Sequence, residues 1–329
     1  MSITPRTSII MPVYNTAETV VGAIESVRQQ TDPDWELLII NDCSPDGADA
    51  VIRSHLRSLD DPRIRYAVNP ENLGLSSTRN RGITMSSGHW VTYLDSDDSF
   101  QPDFLERMHA AASQDPQIDV VACGHTLCYP DGTRRHRHRG GTGLSSGPQM
   151  MVNLLKDRST PYVWDKIFRR SAMGDLEFLQ VNRVEDAGYS ISAFARSRKV
   201  AVISDPLVNY TVNPHSITWG SVPPLDQSWL FMDHLKEMTG AHQGTQKQQD
   251  ALAAAWILTF LNSAQAAMRL NPPEIREHLR ACRRAIRWPL LLRCARARQD
   301  YAAAGVLLRL CPALYKRLYQ WYVKRSYGL

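Results

Sequence analysis

Six cysteines in 329 residues are too few for a disulfide scaffold, and Cys43, Cys123, Cys128, Cys282, Cys294 and Cys311 form no C-x-x-C pair, which argues against a cysteine zinc site. The pattern predicts reduced thiols in a cytoplasmic protein. Nothing before the short apolar run Ile9–Val13 resembles the apolar core of a signal peptide. A glycine-rich phosphate loop bearing Arg or Lys is also missing after the first apolar run, where the chain reads Met11-Pro-Val-Tyr-Asn15. That absence argues against a nucleotidyltransferase. With 43% hydrophobic and 22% charged residues, wholesale disorder, a collagen-like chain and a coiled-coil rod are excluded. The length supports one large α/β domain with an appendage, or two domains.

The net charge of +5 hides a split. Residues 269–329 hold 14 Lys and Arg against 3 Asp and Glu, a net +11, whereas residues 1–268 carry −6. A tail of that sign predicts an anionic partner and a boundary near residue 220.

The first hundred residues alternate strand and helix patterns. Strands are predicted at Thr7–Val13, Trp35–Ile40, Arg63–Val68 and His89–Leu94. Helices are predicted at Thr16–Gln30, with Thr16 as N-cap, and at Gly74–Ser86 and Gln101–Ser113. Such alternation predicts a parallel, doubly wound sheet, in which ligands bind beyond the carboxyl ends of the strands. The polar residues found there are Tyr14 and Asn15, Asp42, and Asp95-Ser-Asp97-Asp98. Three carboxylates within four residues repel one another, so a divalent cation or hydrogen-bond donors must neutralise them. The plainer reading is a solvated turn in which Asp97 or Asp98 caps the next helix.

Farther on, Ile118–Tyr129 and the segment after Asp131-Gly132 read as a hairpin, with the basic run Arg134-Arg-His-Arg-His-Arg139 on its far arm. Gly140–Gly147 reads as a mobile loop. Pro148–Lys156 and Glu185–Ala195 read as short helices, Lys199–Ile203 and Leu207–Tyr210 as short strands, and everything past 224 as helix. Ala251–Met268 is uncharged for eighteen residues. Its polar Thr259, Asn262 and Ser263 share one face, which predicts a buried amphipathic helix rather than a membrane span.

Five pieces in order resemble the inverting glycosyltransferases of family 2. They are Ser8-Ile-Ile-Met-Pro-Val-Tyr-Asn15 with Glu18 and Val27-Arg-Gln-Gln-Thr31; Trp35-Glu-Leu-Leu-Ile-Ile-Asn-Asp42-Cys-Ser-Pro-Asp46; Asn72-Leu-Gly74-Leu-Ser-Ser-Thr-Arg79-Asn80-Arg-Gly82; Tyr93-Leu-Asp95-Ser-Asp97-Asp98; and the later set Val163-Trp-Asp-Lys166, Glu185-Asp186, Tyr210 and Ser216-Ile-Thr. The similarity covers residues 6–220. It implies a GT-A fold, Rossmann-like with a mostly parallel sheet flanked by helices. Residues 1–220 would form the catalytic domain, with a nucleotide-sugar half at 1–115 and an acceptor half at 116–220. A basic helical region would follow at 221–329.

The same resemblance implies the site. Asp42 would accept from the nucleotide base, Tyr14 would pack on it, and Pro12 and Val13 would offer backbone groups. Glu18, Asp95 and Ser96 complete the expected donor-binding set, with Arg79 at the diphosphate or base, where a guanidinium fork suits phosphate oxygens. Asp97 and Asp98 would hold Mn²⁺ or Mg²⁺ against the leaving diphosphate, and Asp186 would act as general base toward the acceptor. His215 is a further candidate for the metal or diphosphate. Lys166 and Trp164 would border the acceptor cleft, the indole stacking on a sugar. The implied reaction moves a sugar from a UDP-sugar or related donor to a cell-surface polysaccharide, a teichoic-type polymer or a lipid-linked glycan. The alternative is a nucleotide-binding protein on the same fold without transferase activity.

Between 276 and 325, Arg and Lys mix with Leu, Trp and Tyr, as in helices that lie on an anionic membrane. The expected location is therefore the cytoplasm or the inner face of the cell membrane. The same stripe would also suit packing on the catalytic domain or on a second copy. No nucleic-acid-reading module is present.

Overall fold

The computed structural model describes residues 5–212 and 222–327. All seven residues of β1 (Thr7–Val13) and of β2 (Trp35–Asn41) are buried, as expected of strands covered on both faces. β1 pairs in parallel with β2 on one edge and with β4 (Trp90–Tyr93) on the other, and β2 pairs in parallel with β3 (Ile64–Val68). Pro12 can sit in this central strand because pairing with β4 ends at Ile10↔Tyr93, so no ladder bond needs the N–H it lacks.

The expected parallel sheet holds for these four strands and then becomes mixed. β9 (Lys166–Arg169) runs antiparallel between β4 and β6 (Ile118–Cys128). β10 (Lys199–Thr211) is parallel to β6, and β5 (Ser99–Phe100) closes the edge. The two short strands expected at 199–203 and 207–210 are one strand whose register shifts around Pro206. β7 (Arg134–Arg137) forms the expected hairpin arm on β6. The Gly140–Gly147 stretch is not simply a loop: Gly143–Ser146 is β8, paired antiparallel to β10.

Alternation along the strands divides the core. Ile9, Met11 and Val13 with Leu37 and Ile39 pack with α1 (Val20–Arg28), α2 (Ala48–Leu59) and α4 (Phe104–Ala112) in one buried cluster. Ile10 and Ile40 face α3 (Leu75–Met85), which approaches so closely that a Cβ on Gly82 would lie 2.4 Å from Ile10 Cγ2. Helices thus cover both sides of the sheet. Thr16 does not cap α1: the helix begins at Val20 after Thr19, and the Thr16 hydroxyl meets Ser96 Oγ at 2.7 Å instead.

The chain divides into two compact units. Met1–Met150, Ser159–Gln180 and Glu185–Asn213 form the α/β unit, and Met151–Arg158, Val181–Val184 and Pro214–Leu329 the other. The second unit is helical from Leu225 onward. Its long helix Gln246–Leu270 starts with a capping box between Thr245 and Gln248. By length and composition that helix could cross a membrane, yet 78% of its most apolar stretch is buried inside the molecule. Trp256 donates to Ala285 O at 3.1 Å, and Arg296 grips Asp250 with two bonds of 2.8 Å.

Candidate active site

β2, β1 and β4 are adjacent and parallel, so Asp42, Tyr14 and Asp95 leave the sheet at the same edge within two strand spacings, about 10 Å. The loops are stitched together. Asn15 N–H donates to Ser44 Oγ (2.8 Å), Ala17 N–H to Asp46 Oδ2 (2.7 Å), and the Ser44 hydroxyl to Asp46 Oδ1 (2.6 Å). Although partial burial raises its pKa, Asp46 is held below the ordinary carboxylate range by Ser44 and by the N–H groups of Ala17 and Ala48. Asp46 therefore serves as the tie between two strand ends, a role its place in a polar loop did not reveal.

Asp42 is buried. Its Oδ1 accepts from Asn69 Nδ2 (2.6 Å) and Leu73 N (2.9 Å), and its Oδ2 from Gly74 N (2.9 Å). Gly74, at φ +83°, turns its N–H onto this carboxylate at the start of α3, a left-handed conformation that suits glycine. One and a half turns later on α3 stands Arg79, about 7–8 Å along the axis. A single helix thus carries the contacts of both Asp42 and Asp95.

Expected at the diphosphate or base, Arg79 is 1% exposed, and its guanidinium holds two carboxylates. It donates to Asp95 Oδ1 at 2.8 Å and to Asp186 Oδ1 at 2.5 Å, with Glu185 at 3.8 Å. Tyr93 and Phe178 flank it, and the Asn80 amide fixes Phe178 by two backbone bonds of 2.7 and 3.0 Å. Burial works against the Arg79 charge, but Asp186, Asp95 and Glu185 more than offset it. Asp186 stands at the N-terminus of α7 (Glu185–Arg196). Burial pushes its pKa up to about 7, with Arg79 opposing and Glu185 and Asp95 assisting the rise. Among the described residues its second oxygen has only a long contact, 3.4 Å, from Val163 N–H.

Asp95, Ser96, Asp97 and Asp98 follow β4 as a tight turn closed by Asp98 N–H to Asp95 O (3.0 Å). They do not cap α4, which begins after Asp103. Ser96 is buried, bonded to Thr16 and, through its carbonyl, to the Thr19 hydroxyl at 3.0 Å. Burial and then Asp95 raise the Asp97 pKa to about 6; burial, Asp97 and Asp95 also push that of Asp98 well above the ordinary carboxylate range. One Asp98 oxygen accepts from Thr211 N–H at 2.7 Å, whereas the other is buried and has no hydrogen-bond partner among the described residues. An orphaned carboxylate oxygen beside two more carboxylates fits a hard cation. Among the described residues, however, no three His, Cys, Asp or Glu side chains gather so as to hold an ion by themselves. Oxygens from a bound ligand would have to complete the shell.

Pro12 and Val13 end β1, where the Val13 carbonyl accepts from Asp42 N–H at 2.9 Å. Tyr14 is 43% exposed, and Glu18 is also exposed, facing solvent. His215 and Ser216-Ile-Thr lie outside the described residues. Trp164 and Lys166 do not border an open cleft. Trp164 is buried between Tyr162 and Tyr210, with centroids at 4.5 and 5.4 Å. Lys166 is fully buried, donating to Asp165 at 2.6 Å and to the Thr160 and Tyr162 carbonyls. Both hold the turn that brings Val163 to Asp186. Two surface cavities, of about 190 and 370 Å³, lie beside Leu56–Ile64 and beside Trp90 and Arg169, away from these strand ends.

A half-parallel sheet with carboxylates at its strand ends is the architecture of GT-A glycosyltransferases. The chain belongs to glycosyl transferase family 2, whose model matches residues 8–176. That stretch ends before Asp186. The chain is 30% identical to the uncharacterised glycosyltransferase EpsJ of Bacillus subtilis (strain 168) over 65% of this chain, and spans 63% of EpsJ. It is 35% identical to the "Putative teichuronic acid biosynthesis glycosyltransferase TuaG" of the same organism, over 39% of this chain and 50% of that one. In structure it is similar to S. aureus TarS 1-349, solved in complex with UDP-GlcNAc (TM-score 0.73, 17% identity, 98% of this chain and 93% of that one). It is also similar to the mannosyltransferase PcManGT of Pyrobaculum calidifontis, solved with GDP-Man and Mn²⁺ (TM-score 0.54, 17% identity, 94% and 88%).

Proposed function

We propose that this chain is a metal-dependent inverting glycosyltransferase that moves a sugar from a nucleoside diphosphate sugar, a UDP-sugar first, to a hydroxyl of a cell-surface polysaccharide, a teichoic-type polymer or a lipid-linked glycan. The observation that carries this reading is the Arg79 bridge. One guanidinium fixes a donor-side carboxylate, Asp95, and a carboxylate of raised pKa, Asp186, in the acceptor half. General-base catalysis needs a group whose pKa lies near the working pH and whose accepting oxygen is not saturated. Asp186 Oδ2 meets both requirements.

In this reading Asp42 Oδ2, which has a single partner, accepts a base N–H while Tyr14 covers the ring. Asp97 and Asp98 hold Mn²⁺ or Mg²⁺, which supplies positive charge where the diphosphate leaves. Asp186 takes the acceptor proton as the new C–O bond forms on the face opposite the breaking bond to phosphate, which inverts the anomeric centre. Arg79 keeps Asp186 oriented and ionisable rather than touching the diphosphate.

Thermal stabilisation by UDP, measured with and without Mn²⁺, tests the assignment: stabilisation only with metal supports it, and indifference to every nucleotide ends it. A nucleotide binder without turnover is the rival. It would be stabilised in the same way but would release no UDP from any UDP-sugar in the presence of acceptor.

We also infer that the basic C-terminal helices keep the enzyme on the inner face of the cell membrane. Leu314, Leu318 and Trp321 are each about half exposed or more at helical spacing on the helix Pro312–Tyr327, a stretch that contains no acid.

A further inference from the structure

The arginine run of the hairpin is placed by strand register. β7 pairs with β6 so that Arg137 stands opposite His125 and Arg135 opposite Leu127, and β10 places Tyr210 beside Leu127. Alternation puts Arg135, Arg137, His125 and Tyr210 on one face of the sheet. Arg134 and His136 take the other face, as their bonds to Asn209 (2.6 Å) and Thr126 (2.9 Å) show. β9 and β7 share one edge of β6, β9 up to Ala122 and β7 from His125, so the Tyr162–Asp165 turn that leads into β9 abuts Arg137. The His125 ring meets Tyr162 and Trp164 edge-on at 5.7 and 4.9 Å. Val163 in that turn is the residue that reaches Asp186.

Arg135 and Arg137 are exposed, and neither forms an ion pair with a carboxylate among the described residues; Arg135 lies over the Tyr129 ring at 5.6 Å. An edge strand can carry charge merely to prevent pairing with another chain, and Lys or mixed charges would serve that end. Here the charge is all of one sign, is arginine, and stands on the face that leads to Asp186.

We propose that this face of the β6–β7 hairpin is an acceptor-binding edge, and that the acceptor is a glycan bearing oxyanions, phosphate or carboxylate, which Arg135 and Arg137 grip while its hydroxyl reaches Asp186. The proposal rests on the transferase reading above for the role of Asp186, and it adds the charge class of the acceptor. Guanidinium forks bind both oxyanions.

The test uses the intact protein and three fluorescent probes: short-chain polyphosphate, oligogalacturonate, and neutral dextran oligosaccharide. Polyphosphate, oligogalacturonate or both should bind, and which of them does identifies the oxyanion, while dextran should not. Arg135→Ala/Arg137→Ala should weaken that binding about tenfold at low salt and flatten its salt dependence. The matched variant Arg53→Ala/Arg57→Ala, two exposed arginines of α2, should change it little. Unaltered affinity in the first variant, equal loss in the second, or dextran binding as tight as either polyanion would overturn the proposal. UDP stabilisation in Mn²⁺ is measured alongside. If it is absent while the arginine-dependent binding persists, the transferase reading fails and the anion-binding edge stands.

Discussion

Arg79 shares its guanidinium between Asp95, sixteen residues along the chain, and Asp186, one hundred and seven residues away. Asp186→Asn should lower turnover by about 10²–10⁴, the usual worth of a positioned general base, while UDP still raises the melting temperature. Glu185→Gln removes one of the negative neighbours that hold the Asp186 proton. The acid limb of kcat/KM against pH, expected near 7, should therefore move to lower pH. The same shift bears on stability. A carboxyl whose folded pKa lies above its free value binds its proton more tightly when folded, so its contribution is greatest below about pH 4 and declines as pH rises toward 7. Arg79→Leu would leave two partly buried carboxylates without their counter-charge and should cost about 3–5 kcal/mol in urea unfolding, with Arg79→Lys restoring part of it. The motifs around Asp42, Asp95 and Asp186 marked these residues in the sequence. That Arg79 would be buried and shared between them was hidden, because its partners come from distant segments that meet only in the fold.

Among the elements, β1, β2, β3, β4, α3 and α7 were readable from periodicity, since continuous apolar runs and helical spacing act locally. α2 is masked by the polar loop before it, although Ala48, Val51, Ile52, Leu56 and Leu59 recur at helical spacing. The N-cap expected at Thr16 fails because its hydroxyl finds Ser96, eighty residues away. β8 hides in a Gly/Ser stretch of low strand propensity and exists because β10 offers it a ladder. Gly82 joins these scales. Gly82→Ala would force its new methyl against Ile10 and should destabilise the protein by about 1–3 kcal/mol in thermal or urea melts, without changing the residues that line the crevice.

At the scale of the whole molecule, charge is segregated along the chain, and the +11 of residues 269–329 accompanies exposed Leu292, Leu310, Leu314, Leu318 and Trp321. Two copies joined through this face would bring like charges together, whereas an anionic bilayer complements both its cations and its apolar stripe. Vesicles containing anionic lipid should therefore co-sediment the protein and vesicles of neutral lipid should not. Leu314→Glu/Leu318→Glu should abolish the association, and a rise in ionic strength should weaken it. A dimer in solution that the same variant dissolves, with no vesicle binding, would favour the second copy instead.

The sequence alone determined the α/β plan with its parallel strands β1 to β4, the family resemblance and the order of its acidic motifs, because strand alternation, helical periodicity and turn chemistry are properties of neighbouring residues, whereas the antiparallel half of the sheet emerged only in the fold. Tertiary structure decided that Trp164 and Lys166 are interior supports, that Arg79 binds carboxylates, and that β7 carries its arginines beside the turn at Val163. Burial and partnership belong to segments that become neighbours only when the sheet closes over its helices.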